Sequence, residues 1–199
     1  MTSSEAIGYV SATCSLGTLL LGVSERGICW LTLGDEDTAL LAQLRRRWPH
    51  RALRASAAAQ HAELAYALQV VEQPGGAWGP GPAIDLVGTD FQRLVWQQLR
   101  AIPPGSVISY AELARRVGRP RAYRAVAQAC GANPVAVLVP CHRVIASDGR
   151  LGGFGLGLAR KAELLRREGV NPRPSSPSVA CGARDGSPLF ANMSVHEHA

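Results

Sequence analysis

Residues 89–131 read TDFQRLVWQQLRAIPPGSVISYAELARRVGRPRAYRAVAQACG, and this pattern predicts three helices. The first begins at a capping box over residues 89–92, and the Pro-Pro-Gly that follows ends it. A second capping box, over residues 109–112, opens a short helix. The third helix follows a tight break and runs from about residue 121 to residue 131. This arrangement favours a helix-turn-helix, although many helical pairs share it.

Small side chains distinguish the third helix. A core helix would carry larger apolar residues, and a solvated helix would carry charges of both signs. Short side chains allow a backbone to approach a partner closely, as entry into a DNA minor groove about 6 Å wide requires. Tight packing against another helix accounts for the pattern equally well. The small residues are Ala122, Ala125, Ala127 and Ala129, and Arg121 and Arg124 add positive charge to the same helix.

The chain before residue 89 carries no chemical motif and is predicted to be a scaffold. Short apolar runs between turn residues indicate strands, and apolar spacings of three and four residues indicate helices. We predict strands at Gly8–Cys14, Gly17–Val23, Gly27–Leu33 and Ile84–Val87, and helices over Asp37–Trp48 and Ala57–Glu72. The sequence therefore predicts an α/β (α+β) protein. It has a small strand-rich N-terminal domain, residues 1–88, and a mostly helical domain, residues 89–170.

The middle of the chain holds the excess positive charge. Residues 89–170 carry thirteen Arg or Lys against five acidic residues (+8), whereas residues 1–88 carry six against eight (−2). Residues 171–199 are neutral overall, and their Pro and Ser content predicts a disordered tail. A basic surface of this kind suits contact with a polyanion, and a merely solvated surface explains it as well.

Composition and cysteine usage exclude several protein classes. No apolar run approaches the roughly 20 residues that span a bilayer, so no membrane partner is expected. The N-terminus lacks the basic and apolar order of a secretory signal. The five cysteines are scattered and never stand at C-x-x-C spacing, so neither a zinc cage nor a disulfide framework is predicted. A reducing, intracellular setting fits this cysteine usage.

One cysteine has chemically suggestive neighbours. The apolar run Val135–Val139 predicts a buried strand, which ends in Pro140-Cys141-His142-Arg143-Val144. An imidazole and a guanidinium beside a thiol are expected to lower its pKa from about 8.5. Because adjacent side chains of an extended segment point to opposite faces, we expect Cys141 and His142 to communicate through a water molecule.

The stretch from Phe91 to Gly169 closely resembles the active domain of O6-alkylguanine-DNA alkyltransferases, the methylated-DNA–protein-cysteine methyltransferases. Within that family it is similar to the C-terminal, alkyltransferase half of bacterial adaptive-response proteins. The resemblance implies a ribonuclease-H-like topology for the N-terminal domain and a helix-turn-helix of winged-helix type in the second. Five ordered motifs carry it: Val107-Ile108-Ser109-Tyr110, Arg124-Ala125-Val126, Asn133-Pro134, Pro140-Cys141-His142-Arg143-Val144 and Arg166-Arg167-Glu168-Gly169.

The resemblance implies DNA repair by direct reversal of damage. The alkyl group of O6-alkylguanine, with O4-alkylthymine as a further candidate, would pass irreversibly to Cys141 after base flipping. No cofactor is implied, because the substrate brings its own electrophile. The expected partner is double-stranded DNA carrying alkylated guanine, bound by a monomer. The expected location is the cytoplasm, on the nucleoid in a bacterium, or the nucleus in a eukaryote. Two alternatives stay open: a non-catalytic lesion-binding protein of the same fold, and a Cys-His hydrolase that turns over.

The resemblance also implies a role for each site residue. Cys141 is the acceptor, His142 removes its proton through a water, and Glu168 orients the imidazole. Tyr110 faces the base and protonates it as it leaves. Val144, Phe154 and Gly155 would line the guanine pocket, and Asn133 would brace the preceding turn. Arg124 would fill the gap left by the flipped base. The residues expected to contact DNA beside it are Ala122, Tyr123, Ala125 and Ala127. Glu168 is also unusual by itself, because a negative charge is disfavoured at a helix C-terminus.

The chain departs from the family pattern in places. Phe154 stands where the family commonly has Tyr, so a hydroxyl contact is lost while ring packing survives. Tyr123 is larger than the residue often found at its position, which can alter the fit to the groove. Glu5, Ser24 and Cys29 stand where some relatives carry zinc ligands, so we predict that no metal is bound.

Overall fold

The computed structural model describes residues 6–56 and 61–171. The predicted tail from residue 172 onward, and the first residues of the helix predicted from Ala57, lie outside this description. In chain order the elements are β1 (Ile7–Cys14), β2 (Gly17–Ser24), β3 (Gly27–Gly34), α1 (Asp37–Arg47), β4 (Leu53–Ala55), α2 (His61–Glu72), α3 (Asp90–Arg100), β5 (Ile108–Ser109), α4 (Tyr110–Arg116), α5 (Tyr123–Gly131), β6 (Val144–Ile145) and α6 (Leu158–Arg167). The expected mixed α/β architecture, strand-rich first and helical afterwards, is confirmed.

The N-terminal segment is built on a four-stranded sheet in the order β3-β2-β1-β4. The first three strands are antiparallel neighbours, and β4 pairs in parallel with β1. The turn from β1 to β2 needs glycine at Gly17, which has φ 107°. A Cβ there would lie 2.5 Å from the carbonyl oxygen of Gly34, so β3 leaves no room for a side chain.

The two faces of this sheet are buried in different ways. One face packs against α1 through a small cluster that contains Leu20, Leu40, Leu44 and Trp48. The other face joins a large cluster that continues into the helices of the second segment. Trp96 of α3 is fully buried there, and its indole N–H donates to the carbonyl of Ala129 at 2.8 Å. The two segments therefore share one core, which fixes the helices relative to the sheet.

The helix starts follow the sequence closely. At α3 the capping box is complete, since Thr89 Oγ1 accepts from the backbone of Gln92 and the side chain of Gln92 accepts from the backbone of Thr89. At α4 only half of the predicted box forms. Ser109 Oγ accepts from the backbone N–H of Glu112 at 3.1 Å. The carboxylate of Glu112 instead pairs with Arg115 and Arg116.

Two of the predicted strands are wrong. In Ile84–Val87 only Ile84 pairs, through a single bridge to Ile28. The run Val135–Val139 is buried but forms a tight turn, in which the N–H of Val139 donates to the carbonyl of Val135 at 2.9 Å and Val137 has φ 72°. A positive φ is costly for a β-branched residue. An apolar run of five residues indicates burial, and tertiary packing decides its backbone conformation.

Candidate active site

Cys141 lies in a buried turn of 3-10 helix over Cys141–Arg143, directly after Pro140. The expectation of an extended segment here is therefore wrong. Asn133 holds the turn from the preceding loop: its amide nitrogen donates to the carbonyl of Val139 at 2.7 Å and to Cys141 Sγ at 3.2 Å. Its side-chain oxygen accepts from the backbone N–H of Val135 at 3.1 Å. One side chain thus braces the loop and also supplies an N–H to the sulfur.

The thiol of Cys141 does not have the lowered pKa that its neighbours in sequence suggested. Burial raises the pKa of Cys141, and the N–H of Asn133 and the positive charge of Lys161 offset this only in part. The guanidinium of Arg143 points elsewhere, toward Glu168 and the carbonyl of Ile102. The resting sulfur is therefore a neutral, desolvated thiol, and ionising it requires a base.

His142, Glu168 and Arg143 form a buried polar network. The His142 Nε2 and Glu168 Oε1 atoms are 2.9 Å apart, and both side chains are fully buried. The guanidinium of Arg143 donates to the same carboxylate from Nε at 3.1 Å and from Nη2 at 2.9 Å. Burial raises the pKa of Glu168, but the hydrogen bonds from these two partners lower it overall. Arg143 explains how a carboxylate is tolerated at the C-terminal cap of α6.

The network leaves His142 ready to accept a proton. Burial lowers the pKa of His142, although the bond to Glu168 opposes this, so the imidazole is neutral at pH 7. With Nε2 donating to the carboxylate, Nδ1 is the basic nitrogen. This Nδ1 atom is buried and has no hydrogen-bond partner among the residues that the structure describes. Such an imidazole can act as a general base.

Cys141 opens onto a cavity of about 250 Å³. The lining residues are Tyr110, Ala127, Cys130, Gly131, Cys141, Gly153, Phe154 and Gly155. Tyr110 Oη donates to the carbonyl of Gly153 at 3.3 Å, and burial raises the pKa of its phenol to about 12, so it carries a proton. Val144, predicted to line the pocket, instead lies fully buried outside this lining. Its carbonyl accepts a bond from Lys161.

Helix α5 passes beside this cavity with two distinct faces. Val126, Ala129 and Cys130 are buried, so tight packing accounts for part of the small-residue pattern. Tyr123, Arg124 and Ala125 are exposed, Ala122 and Ala127 are half-buried, and Ala127 lines the cavity. The guanidinium carbon of Arg124 lies 5.8 Å from the ring centroid of Tyr123. The exposed face of α5 thus combines an aromatic ring and a positive charge at the rim of the site.

Comparison with known proteins identifies the family. Residues 90–170 match the family model described as 6-O-methylguanine DNA methyltransferase, DNA binding domain. The crystal structure of Mycobacterium tuberculosis OGT in complex with DNA is 33% identical, with a TM-score of 0.66. The match covers 81% of this chain and 92% of that one. The chain belongs to the O6-methylguanine DNA methyltransferase family.

Curated relatives extend the likeness over both segments. The bifunctional transcriptional activator/DNA repair enzyme Ada of Escherichia coli is 44% identical over 170 residues, which cover 83% of this chain and 46% of Ada. A methylated-DNA–protein-cysteine methyltransferase of Salmonella typhimurium is 58% identical over 82 residues, 41% of this chain and 48% of that protein. The chain spans about half the length of the curated relatives it matches.

In this O6-methylguanine DNA methyltransferase family member, Lys161 is a site residue that the sequence analysis missed. Its ammonium is buried and donates to the carbonyls of Val144, Leu151 and Gly153 at 2.6, 2.5 and 3.3 Å. It also lies 5.9 Å from the ring centroid of Tyr110. Burial lowers the pKa of Lys161 to about 8. Helical spacing indicates that Lys161 is buried, since position 161 shares a face of α6 with the buried residues 164 and 165 and with position 168.

The described part of the chain holds neither a cluster of metal-ligating side chains nor a membrane-spanning helix. Residues 6–56 and 61–171 contain no group of three or more His, Cys, Asp or Glu that could hold a metal ion. Ser24, at one of the positions of the relatives' zinc ligands, donates to Asp85 at 2.8 Å, and Cys29 is buried. Glu5 lies outside the described residues, so the absence of zinc stays a prediction. Within the same described ranges, no helix is both long and apolar enough to cross a bilayer.

Proposed function

We propose that this chain repairs DNA by moving the alkyl group of O6-alkylguanine irreversibly to Cys141. One observation carries the proposal: the thiol opens onto a cavity while the next residue, His142, has a buried Nδ1 with no hydrogen-bond partner among the described residues. A thiol that faces a cavity and is followed directly by a neutral base supplies the nucleophile and the proton acceptor that thiol alkylation requires. O4-alkylthymine is a second candidate substrate of the same kind.

The reaction begins with ionisation of Cys141. His142 Nδ1 accepts the thiol proton through a water molecule, and Glu168 holds the imidazole and stabilises the charge that forms on it. The N–H of Asn133 and the ammonium of Lys161 stabilise the thiolate. The sulfur then attacks the alkyl carbon. A C–S bond forms, the C–O6 bond breaks, and the electron pair of that bond goes to guanine.

Tyr110 completes the exchange by protonating the departing base, and the proton that His142 took from the thiol then restores the phenol, so that one proton passes in total from sulfur to guanine. A guanine anion in a dry cavity is costly, and a positioned donor lowers that cost. The phenol lines the cavity and keeps its proton well above neutral pH. The thioether has no route back to the thiolate, so each molecule of the protein reacts once and needs no cofactor.

The proposed DNA contact is the exposed face of α5. Arg124 enters the base stack and offsets part of the unstacking cost of a few kcal/mol. Ala122, Ala125 and Ala127 allow the helix backbone to approach the groove, and Tyr123 packs at its edge. The charge of +8 over residues 89–170 favours duplex DNA as the partner. The DNA-bound OGT structure supports the same proposal.

Finer features of the architecture and setting are also proposals. The order β3-β2-β1-β4 with a parallel β4 supports a ribonuclease-H-like topology, and the β5–β6 pair beside α4 supports a winged-helix type. We place the domain boundary near residue 88, with the two domains packed through a common core. A monomer in the cytoplasm, on the nucleoid in a bacterium or in the nucleus of a eukaryote, fits a repair protein acting on duplex DNA.

Intact-mass measurement after mixing with a duplex containing O6-methylguanine tests the function. The expected result is a gain of one methylene unit per protein molecule, mapped to Cys141, with no further turnover. Binding without a mass change would identify a lesion-binding protein. Repeated turnover without a stable adduct would identify a hydrolase. Either result would overturn the proposal.

A further inference from the structure

Helix α6 supplies two residues to the site, and an arginine stands directly before each of them. Lys161 donates to a carbonyl of the cavity wall at 3.3 Å, and Glu168 Oε1 lies 2.9 Å from His142 Nε2. The residues before them are Arg160 and Arg167. Positions seven residues apart lie about two turns apart on the same side of an α-helix. The two arginines therefore share one face of α6, and the two site residues share the next.

Both arginines reach the same turn of the N-terminal segment, Ser15-Leu16 between β1 and β2. Arg160 Nε donates to the carbonyl of Leu16 at 2.8 Å, and its Nη2 pairs with Asp35. Arg167 Nη2 donates to Ser15 Oγ at 2.9 Å. The two arginine side chains are only 20% and 15% exposed. One turn of the N-terminal segment thus holds α6 near both of its ends.

The contact at the C-terminal end of α6 belongs to a connected cluster. The hydroxyl and the backbone N–H of Ser15 both donate to the carboxylate of Glu72, at the end of α2. Arg167 Nη1 donates to the carbonyl of Val71 at 3.0 Å, and its Nε donates to Glu163 at 2.8 Å. We call Ser15, Glu72 and Arg167 the α6 anchor. It ties the last turn of α6 to two elements of the N-terminal segment.

The next residue after the anchor is the carboxylate of the site. Glu168 is the C-terminal cap of α6, so its position follows that of the helix end. Arg143 Nη2 donates to this carboxylate at 2.9 Å and orients it, but the backbone that carries it belongs to α6. A hydrogen bond weakens steeply when its geometry is distorted. A small shift of the helix end would therefore weaken the support that Glu168 gives to His142.

We propose that Arg167 is a positioning residue for alkyl transfer and acts through Glu168. It holds the end of α6 against the Ser15-Leu16 turn, while Arg160 holds the beginning of the same helix. The inference rests on the proposed transfer to the acceptor cysteine and adds no bond-making step, since Arg167 is bonded to neither the sulfur nor His142. The N-terminal segment, which the sequence predicts to be a scaffold, thereby affects the rate of the chemical step.

The variant Arg167→Ala tests the anchor. Single-turnover methyl transfer from an O6-methylguanine duplex should be slowed about tenfold at about pH 7, less than the roughly 10²-fold that a displacement of about 1 Å can cost. This deficit should shrink as the pH rises toward about 10, because hydroxide then ionises the thiol and His142 is no longer needed as a base. Arg167→Lys keeps the charge and a donor, so it should recover part of the rate.

The pH profile separates positioning from a loss of structure. Circular dichroism at each pH gives the folded fraction, and a rate lost through unfolding scales with that fraction. A weakened base lowers the rate only where the base is needed. The charged groups around His142 are Glu168, Arg143 and Lys161, and the variant retains all three. A changed profile in folded protein therefore reports a changed arrangement of these groups.

Arg166→Ala is the matched control. Arg166 directly precedes the anchor residue and pairs with Glu163 at 2.7 Å, but makes no hydrogen bond to the N-terminal segment within the described part of the chain. Its loss removes the same charge and should leave the rate and its pH profile at the wild-type values. Ser15→Ala should shift the profile in the same direction as Arg167→Ala. Combined, the two should slow transfer by less than the product of their separate effects, because they share one contact.

The outcomes distinguish the inference from the function beneath it. If the wild type does not place methyl on Cys141, the proposed function fails. With transfer intact, the inference alone is overturned if folded Arg167→Ala reacts at the wild-type rate or if its deficit is the same at every pH. Should Arg167→Ala not fold, Ser15→Ala decides by the same criteria, because Ser15 is exposed and loses only a hydroxyl.

Discussion

The buried network behind Cys141 and the exposed face of α5 differ in almost every physical respect. The side chains of His142 and Glu168 are 0% exposed and hydrogen-bonded to each other, whereas Tyr123 is 48% exposed. Arg143 pairs with a carboxylate, whereas Arg124 is exposed and lies beside the ring of Tyr123. The proposed chemistry is thus organised before substrate arrives, while the proposed DNA contacts form on binding. Substitutions in the two regions should consequently fail in different ways.

The largest effect is expected from the acceptor itself. Cys141→Ser should abolish transfer to O6-methylguanine duplex and leave duplex binding intact, because the proposed DNA contacts lie on α5. Intact mass reports transfer, and band-shift titration reports binding. Cys14→Ser, a half-buried thiol at the end of β1, is the matched control and should transfer normally. Transfer at the normal rate by Cys141→Ser, or alkyl mapped to Cys130, would contradict the assignment.

The next effect concerns the carboxylate of the buried network. Glu168→Gln should leave the guanidinium of Arg143 uncompensated and lower the free energy of unfolding by about 3–5 kcal/mol. Urea denaturation measures this change. Glu163→Gln is the control, since its pairs with Arg166 and Arg167 are partly exposed and should contribute only about 1 kcal/mol or less. Similar small losses of unfolding free energy in both variants would show that the buried network adds little to the stability of the fold.

Tyr110 lies on the cavity wall, between the buried network and the exposed face of α5. Its substitution tests whether it donates a proton. Tyr110→Phe keeps the ring and deletes the hydroxyl, so it should slow single-turnover transfer by roughly 10²-fold. Affinity for alkylated duplex should change little, because the ring still fills the same place. A near-normal rate would remove Tyr110 from the reaction, and a parallel loss of affinity would make its role structural.

The exposed region is tested by substrates with and without a duplex. Arg124→Ala should slow repair of duplex DNA by about tenfold, a share of the few kcal/mol that unstacking costs. Reaction with free O6-alkylguanine base should hardly change, since no base stack needs to be filled. Arg115→Ala, on α4, is the control for loss of positive charge alone. Equal losses on both substrates would place Arg124 in the chemistry or the fold.

The smallest effect is a pH dependence of stability that comes from the buried region. Because the pKa of folded His142 is lowered, the unfolded chain takes up a proton first as the pH falls through about 6.5. The free energy of unfolding should therefore decrease between about pH 7.5 and pH 5.5, by up to about 1.4 kcal/mol per unit of lowered pKa. His142→Gln should lose this component in urea denaturation. An unchanged slope would mean that His142 protonates without cost.

Local signals in the sequence determined much of the outcome. The N-terminal caps of α3 and α4 and the strands β1 to β3 follow from patterns spanning a few residues. The family resemblance, rather than local pattern, pointed to Cys141, His142 and Glu168, and the structure pairs the residue next to Cys141, His142, with Glu168. The caps and strands are predictable because their causes, capping and periodic burial, act between neighbours in sequence.

Tertiary packing decided the rest. It turned the apolar run Val135–Val139 away from a strand and brought Asn133 onto the sulfur. It buried Lys161 among three carbonyls, and it raised the pKa of a thiol that its sequence neighbours were expected to lower. These outcomes depend on which distant groups exclude water from an atom and which supply its hydrogen bonds. Desolvation and partner geometry are properties of the packed chain, so adjacency in sequence does not determine them.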